Sequence, residues 1–220
     1  MSISNMDNKI KFWQKHLNWF IPFVSELYPL NKFQLLQYED ILDWDRIKSN
    51  TFIKWNKETY AVFGEKLAKA EIIEPIAFHV EDMPVVIKYP SVKEIYFRED
   101  IQQSKKKTYW KDIDFGMYKK PTGYDEDIIL KLLETFDCGI ELDDDPFGSM
   151  PIPTRFLEGR ENTIEWDVLS HYWGLNWSFE LLQQFEKYWD TEQLICNHTA
   201  FNYCLKDDLD DEFIEKVLNG

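Results

Sequence analysis

The chain has 220 residues, enough for one large domain or two small ones, and 44% of them are hydrophobic, which excludes global disorder. Its formal net charge is −15, from 40 acidic against 25 basic residues. A field of that sign repels nucleic acid and anionic membranes and attracts basic proteins, so it weighs against direct nucleic-acid binding. With 9 Trp, 11 Tyr and 16 Phe the core is expected to be rich in ring contacts, and 8 Gly leave little material for phosphate-cradling loops.

From the N-terminus, MSISNMDNK is polar and lacks a signal-peptide apolar region. Ile10, Trp13, Leu17, Phe20 and Val24 then recur at near-helical spacing, which predicts an amphipathic helical segment over 9–27 that caps the first repeat. The densest apolar stretch, Trp19 to Val24, is short and contains Pro22, so no membrane span is expected. Three cysteines, Cys138, Cys196 and Cys204, follow no pairing pattern and suit a reducing compartment, so a cytoplasmic location is expected.

Residues 43–67 and 165–189 align without a gap at a shift of 122 (166 minus 44). Trp44 matches Trp166, Asp45 matches Asp167, Ile47 matches Leu169 and Ile53 matches Leu175. Trp55 matches Trp177, Glu58 matches Glu180 and Phe63 matches Phe185. A further copy starts at Trp189, with a shift of 25 (194 minus 169) that puts Leu194 in the place of Leu169 and Asn197 in that of Tyr172. Upstream, 31–44 resembles 178–191, with Leu35 for Leu182 and Tyr38 for Phe185. The unit is about 25 residues long, in four partial copies.

Each copy reads as two short helices. Trp166, Leu169 and Trp173 mark one face of the first, and Ser178 or Asn56 is placed to cap the second. The second carries Leu181, Leu182, Phe185 and Tyr188 in one copy, and Tyr60, Phe63 and Leu67 in the other. Helices this short are unstable alone, so neighbouring copies are expected to stack and bury their Trp side chains, Trp44 and Trp166 in equivalent buried places.

The segments LDWDRIKSN (42–50), IEWDVLSHY (164–172) and WDTEQLICN (189–197) share an aromatic-Asp-Trp-x-x-Leu-Ser-x-Asn pattern. It resembles short Trp-rich repeats of uncharacterised acidic bacterial and viral proteins. Here Tyr172 replaces the Asn, Thr191 a Trp, and Lys48 and Ile195 the Ser. The resemblance covers about half of the chain; it implies a helical-repeat scaffold and transfers no functional residue.

Between the two blocks the texture changes. The runs 76–80, 84–89 and 94–99 are β-branched or aromatic and broken by Pro84 and Pro90, which predicts a small β-meander. Lys105, Lys106 and Lys107 form a basic loop, an aromatic stretch runs from Tyr109 to Tyr118, residues 125–136 pattern as a helix, and 139–153 as an acidic loop. The expected organisation is an N-terminal cap with repeats over 1–70, an insert with short strands and one helix over 71–160, and C-terminal repeats over 161–220. The fold class is mainly α: stacked short helix-turn-helix repeats with a small β-containing insert, α+β overall.

Few residues carry recognisable chemistry. The turn starting at Asp143 puts Phe147 and Thr154 where a calcium loop needs its fifth and twelfth ligands. Cys196, His198 and Cys204 offer zinc donors but no CxxC pair, and His16, His79, His171 and His198 follow no catalytic spacing. No metal or cofactor is expected, and no enzymatic motif is present. The expected function is a non-catalytic acidic module that binds a basic protein, with a bacterial immunity protein against a basic toxin as its concrete form. The alternatives are a DNA-mimicking inhibitor of a nucleic-acid enzyme, and an enzyme or small-ligand binder without a recognised motif. The candidate binding residues are Glu141, Asp143, Asp144 and Asp145 in the loop, and Asp207, Asp208, Asp210 and Asp211 near the C-terminus.

Overall fold

A computed structural model describes residues 3–68, 110–115, 126–135 and 152–220. The chain divides into two units: Phe20–Ile113, and Met1–Trp19 together with Asp114–Gly220. The described residues are mainly helical, and their β structure is one isolated bridge between Ile152 and Leu175. The strands expected at 76–80, 84–89 and 94–99, and the basic loop at 105–107, lie outside the described residues.

The amphipathic segment at the start becomes α1 (Ile3–Lys15) and α2 (Leu17–Leu27), separated at His16, with Pro22 inside α2. The boundary between the units falls within α2. The unit Phe20–Ile113 continues with α3 (Lys32–Gln37), α4 (Trp44–Ser49) and α5 (Lys57–Ala68). Each of these starts on a polar cap: Asn31 in a capping box with Gln34, Asp43 accepting from the amides of Asp45 and Arg46, and Asn56 accepting from that of Thr59. Leu35, Tyr38, Ile47, Ile53, Trp55 and Phe63 form the core, with Trp110 edge-on to Tyr28 at 5.2 Å and donating its indole N–H to the Leu27 carbonyl.

The other unit holds α1, α6 (Glu126–Thr135), α7 (Thr154–Leu157), α8 (Trp166–His171), α9 (Phe179–Gln184), α10 (Thr191–Leu194), α11 (His198–Cys204) and α12 (Asp211–Leu218). A 3-10 turn over Lys206–Asp208 precedes α12. Its core contains Trp13, Leu169, Leu175, Trp177, Leu182, Phe185, Leu194 and Phe201. Helix α1 packs on α12, with the Gln14 side chain donating to the Lys216 carbonyl at 2.8 Å.

The two segments related by a shift of 122 share several contacts. The Trp44 indole donates to the Glu39 carbonyl at 2.8 Å, and the Trp166 indole donates to the Glu161 carbonyl, also at 2.8 Å. The rings of Trp44 and Phe63 lie 5.1 Å apart at 34°, those of Trp166 and Phe185 5.4 Å apart at 37°. The amide of Trp55 reaches the Ile53 carbonyl as that of Trp177 reaches Leu175. Ile47 and Leu169, and Ile53 and Leu175, are buried in matching places. The expected burial of Trp44 and Trp166 needs correction: both are only half-buried. One ring face is taken up by partners that themselves reach solvent, the Lys66 ammonium 4.9 Å from the Trp44 centroid and Tyr188 stacked at 4.9 Å on Trp166.

A polar lock links successive helix pairs, and it occurs once in each unit. In one, the Ser170 hydroxyl accepts from the amide of Asp190, the cap of α10, while the Asn197 side chain donates to the carbonyls of Ser170 and Tyr172 and accepts from the Ala200 amide. In the other, the Ser25 hydroxyl accepts from the amide of Asp43, the cap of α4, while Asn50 donates to the carbonyls of Ser25 and Tyr28 and accepts from the Phe52 amide. Ser25, Ser170, Asn50 and Asn197 are all buried. The Ser and the Asn of the sequence pattern are thus the two halves of one joint: the Ser reaches forward to the next cap and the Asn reaches back. Lys48 and Ile195 have no hydroxyl with which to reach forward. Tyr172 has no side-chain amide with which to reach back, and a side chain at Gly174 would sit 2.7 Å from its ring.

Candidate protein-binding surface

Glu141, Asp143, Asp144 and Asp145 lie outside the described residues. The other four expected binding residues divide by role. Asp207 is exposed. Asp210 caps α12, accepting from the Phe213 amide at 2.8 Å, and Asp211 sits in the first turn of that helix. Asp208 is buried, with its carboxylate 2.6 Å from the Lys9 ammonium. Lys9 also lies 5.3 Å from the centroid of the Phe179 ring. Asp208 therefore fastens α1 to the C-terminal turn and presents no charge to solvent.

The exposed acids have a local cause. A repeat of short helices generates a helix N-terminus every dozen residues or so, and each favours an acid in its first turn. Asp167 on α8, Glu180 on α9, Glu192 on α10 and Glu212 on α12 occupy such places and are all exposed. The short helices thereby each place an acid at the surface. Lys216 beside Glu212 holds that carboxyl below the ordinary carboxylate value, and Glu212 raises Lys216 in turn. The Glu161 carboxyl is also lowered, by its own amide and that of Gly159.

A cluster of charged and aromatic groups closes the C-terminal end of α1. Glu186 takes Lys15 at 2.6 Å on one oxygen and the Nε2 of His16 at 3.0 Å on the other. The His16 ring is stacked on Trp19 at 4.2 Å and 9°, with Phe12 at 4.5 Å. The hydrogen bonds from Lys15 and then His16 hold the Glu186 carboxyl below its ordinary value of 4.5. A carboxyl lowered in the folded state stabilises the fold above the unfolded value, and that contribution disappears as pH falls through the folded value. Glu186→Gln is therefore expected to be less stable than the parent at neutral pH, with the gap closing below pH 4.5. Urea midpoints of the two proteins from pH 7 to pH 3 check it, and a gap constant with pH would remove Glu186 as its source.

Among the described residues no three His, Cys, Asp or Glu side chains cluster as a metal ion requires. Cys204 is buried on α11, whereas Cys196 is exposed. Among the same residues no helix is long and apolar enough to cross a membrane.

Several exposed apolar side chains, Ile128 on α6 among them, have no counterpart among the expected residues. Phe33 is 80% exposed, and Leu36, Ile41 and Val62 are exposed at 42%, 43% and 49%. The signal was present in the alignment of 31–44 with 178–191, which sets Phe33 against Glu180 and Leu36 against Gln183, a large apolar residue against a polar one each time. Comparison with protein-family models, with curated proteins and with solved structures finds no match for the chain.

Proposed function

We propose that this chain is a non-catalytic, acidic protein-binding module, a scaffold of stacked short-helix repeats whose partner is a basic protein. The concrete form we favour is an immunity protein that occupies and neutralises a basic toxin inside the cell. One observation carries it: the pattern residues are consumed by the fold, in locks, caps and ring contacts, while the first-turn acids Asp167, Glu180, Glu192 and Glu212 stay exposed on a chain of net charge −15. Such a field accelerates encounter with a basic partner and repels nucleic acid competing for the same toxin.

The test is co-expression with a toxin-like open reading frame encoded beside this gene. Growth restored by this chain, with a stable complex whose association slows roughly tenfold between low and high salt, is the expected result. A neighbouring basic protein that neither binds nor is neutralised would remove the immunity reading. Inhibition of a nucleic-acid enzyme, relieved by added duplex DNA, would put a DNA mimic in its place.

A further inference from the structure

The repeat provides an internal control for the surface at Phe33. Counting from the helix caps Asn31, Asn56 and Ser178, the second helical residue is Phe33 in one copy, Glu58 in the next and Glu180 in the third. Glutamate is the residue favoured there, since it faces the positive end of the helix. Two buried positions correspond directly, Leu35 with Leu182 and Tyr38 with Phe185, whereas the buried Phe179 stands where α3 carries the half-buried Lys32. The exposed Phe33 and Leu36 differ: they stand where the other unit carries the exposed Glu180 and the half-buried Gln183. The fold thus makes no demand for an aromatic ring at 33.

Phe33 and Leu36 lie on α3 and Val62 on α5, and an ion pair ties α5 to the turn that follows α3. Phe33 and Leu36 are one turn apart on α3, and Glu39 lies in the turn just past its C-cap Tyr38. Glu39 pairs with Lys66 of α5 at 2.7 Å, and Val62 precedes Lys66 by one turn on that helix. Asp40 and Glu65, both exposed, are the sequence neighbours of the pair, and Glu65 is also one turn from Val62 on α5. A cluster of exposed apolar side chains beside acids marks an interaction surface for an apolar segment that carries positive charge.

We propose that this face of the unit Phe20–Ile113 is the docking site for an amphipathic segment of a basic protein. Its apolar side chains cover Phe33, Leu36 and Val62, and its Lys or Arg side chains meet Asp40 and Glu65. The assignment rests on the function proposed above and names the place where that partner is anchored. A net charge of −15 on every copy opposes covering the face with a second copy of this chain.

The probe is a labelled synthetic peptide of Leu and Lys arranged as an amphipathic helix, with a scrambled peptide of the same composition as control. The variant is Phe33→Glu with Leu36→Gln, which installs the residues the other unit already carries at these places. Binding of both peptides to the full chain is measured by fluorescence anisotropy at low and moderate salt. The intact chain is expected to prefer the amphipathic peptide by about tenfold or more. The variant is expected to lose that preference while its melting temperature stays the same or rises. Equal binding of the two peptides, unchanged in the variant, would overturn the docking site and leave the acidic-module function standing. Failure of both peptides to bind at low salt would overturn the docking site and the acidic-module function together. An intact chain that sediments as a dimer, beside a monomeric variant, would assign the face to a second copy and also overturn the proposal.

Discussion

Asn197→Ala is expected to destabilise the unit Met1–Trp19 with Asp114–Gly220 by about 2–6 kcal/mol. The side chain is fully buried, and its loss removes two donors and one acceptor at once. The Tyr172 carbonyl keeps the indole of Trp177 at 3.0 Å, so the main losses fall on the Ser170 carbonyl and the Ala200 amide. Each buried polar group left without a partner costs about 1–3 kcal/mol, which sets the range. Asn50→Ala is expected to do the same to the other unit through Ser25, Tyr28 and Phe52. Asn162→Ala, at an exposed position, serves as the control and stays within about 0.5 kcal/mol of the parent. Because the chain has two units, urea unfolding is best read with amide exchange, following the Ala200 amide in one unit and the Phe52 amide in the other. A loss below about 1 kcal/mol in either variant would show that the lock does not hold successive helix pairs together.

The helix pairs were legible in the sequence for a physical reason. Caps, aliphatic core positions and indoles must recur at fixed spacing for each pair to close, so the shift of 122 recovers Asn56 and Ser178 as caps and Ile47 and Leu169 as core. The lock was only half legible. Ser170 and Asn197 appear in the pattern, but Ser25 lies on α2, where Ile21 and Pro22 stand in place of the Trp166 and Asp167 that flag a repeat. The connection from Ser25 to the cap Asn31 is also two residues shorter than that from Ser170 to the cap Ser178, six against eight, so an ungapped comparison loses it. Exposure was the least legible property. Phe33 reads like any other core aromatic, and only its partner in the alignment, Glu180, shows that this position faces solvent.

Asp208 is the sharper case, because its neighbours are also acids and only its environment distinguishes it. Asp207 and Asp210 are exposed, whereas Asp208 meets a lysine that lies 199 residues away in sequence. Both members of the pair are largely withdrawn from water, with side-chain exposures of 12% for Lys9 and 4% for Asp208. One carboxylate oxygen, Oδ1, makes no hydrogen bond among the described residues, so the Lys9 ammonium on Oδ2 is the main compensation for the buried charge. Lys9→Met would leave that charge uncompensated and is expected to destabilise the fold by about 3–5 kcal/mol. Asp208→Leu alone would strand the ammonium, less severely because the long lysine stem can carry its head group toward solvent. The double variant is expected to recover most of the loss, since replacing a buried pair by apolar groups is often neutral or better. Three chemical denaturation curves beside the parent complete the cycle. If Asp208 instead belonged to a binding surface, its replacement would leave stability unchanged and weaken partner capture. Asp207→Asn, a change at an exposed position, supplies the comparison: little effect on stability, with any effect confined to the salt dependence of association.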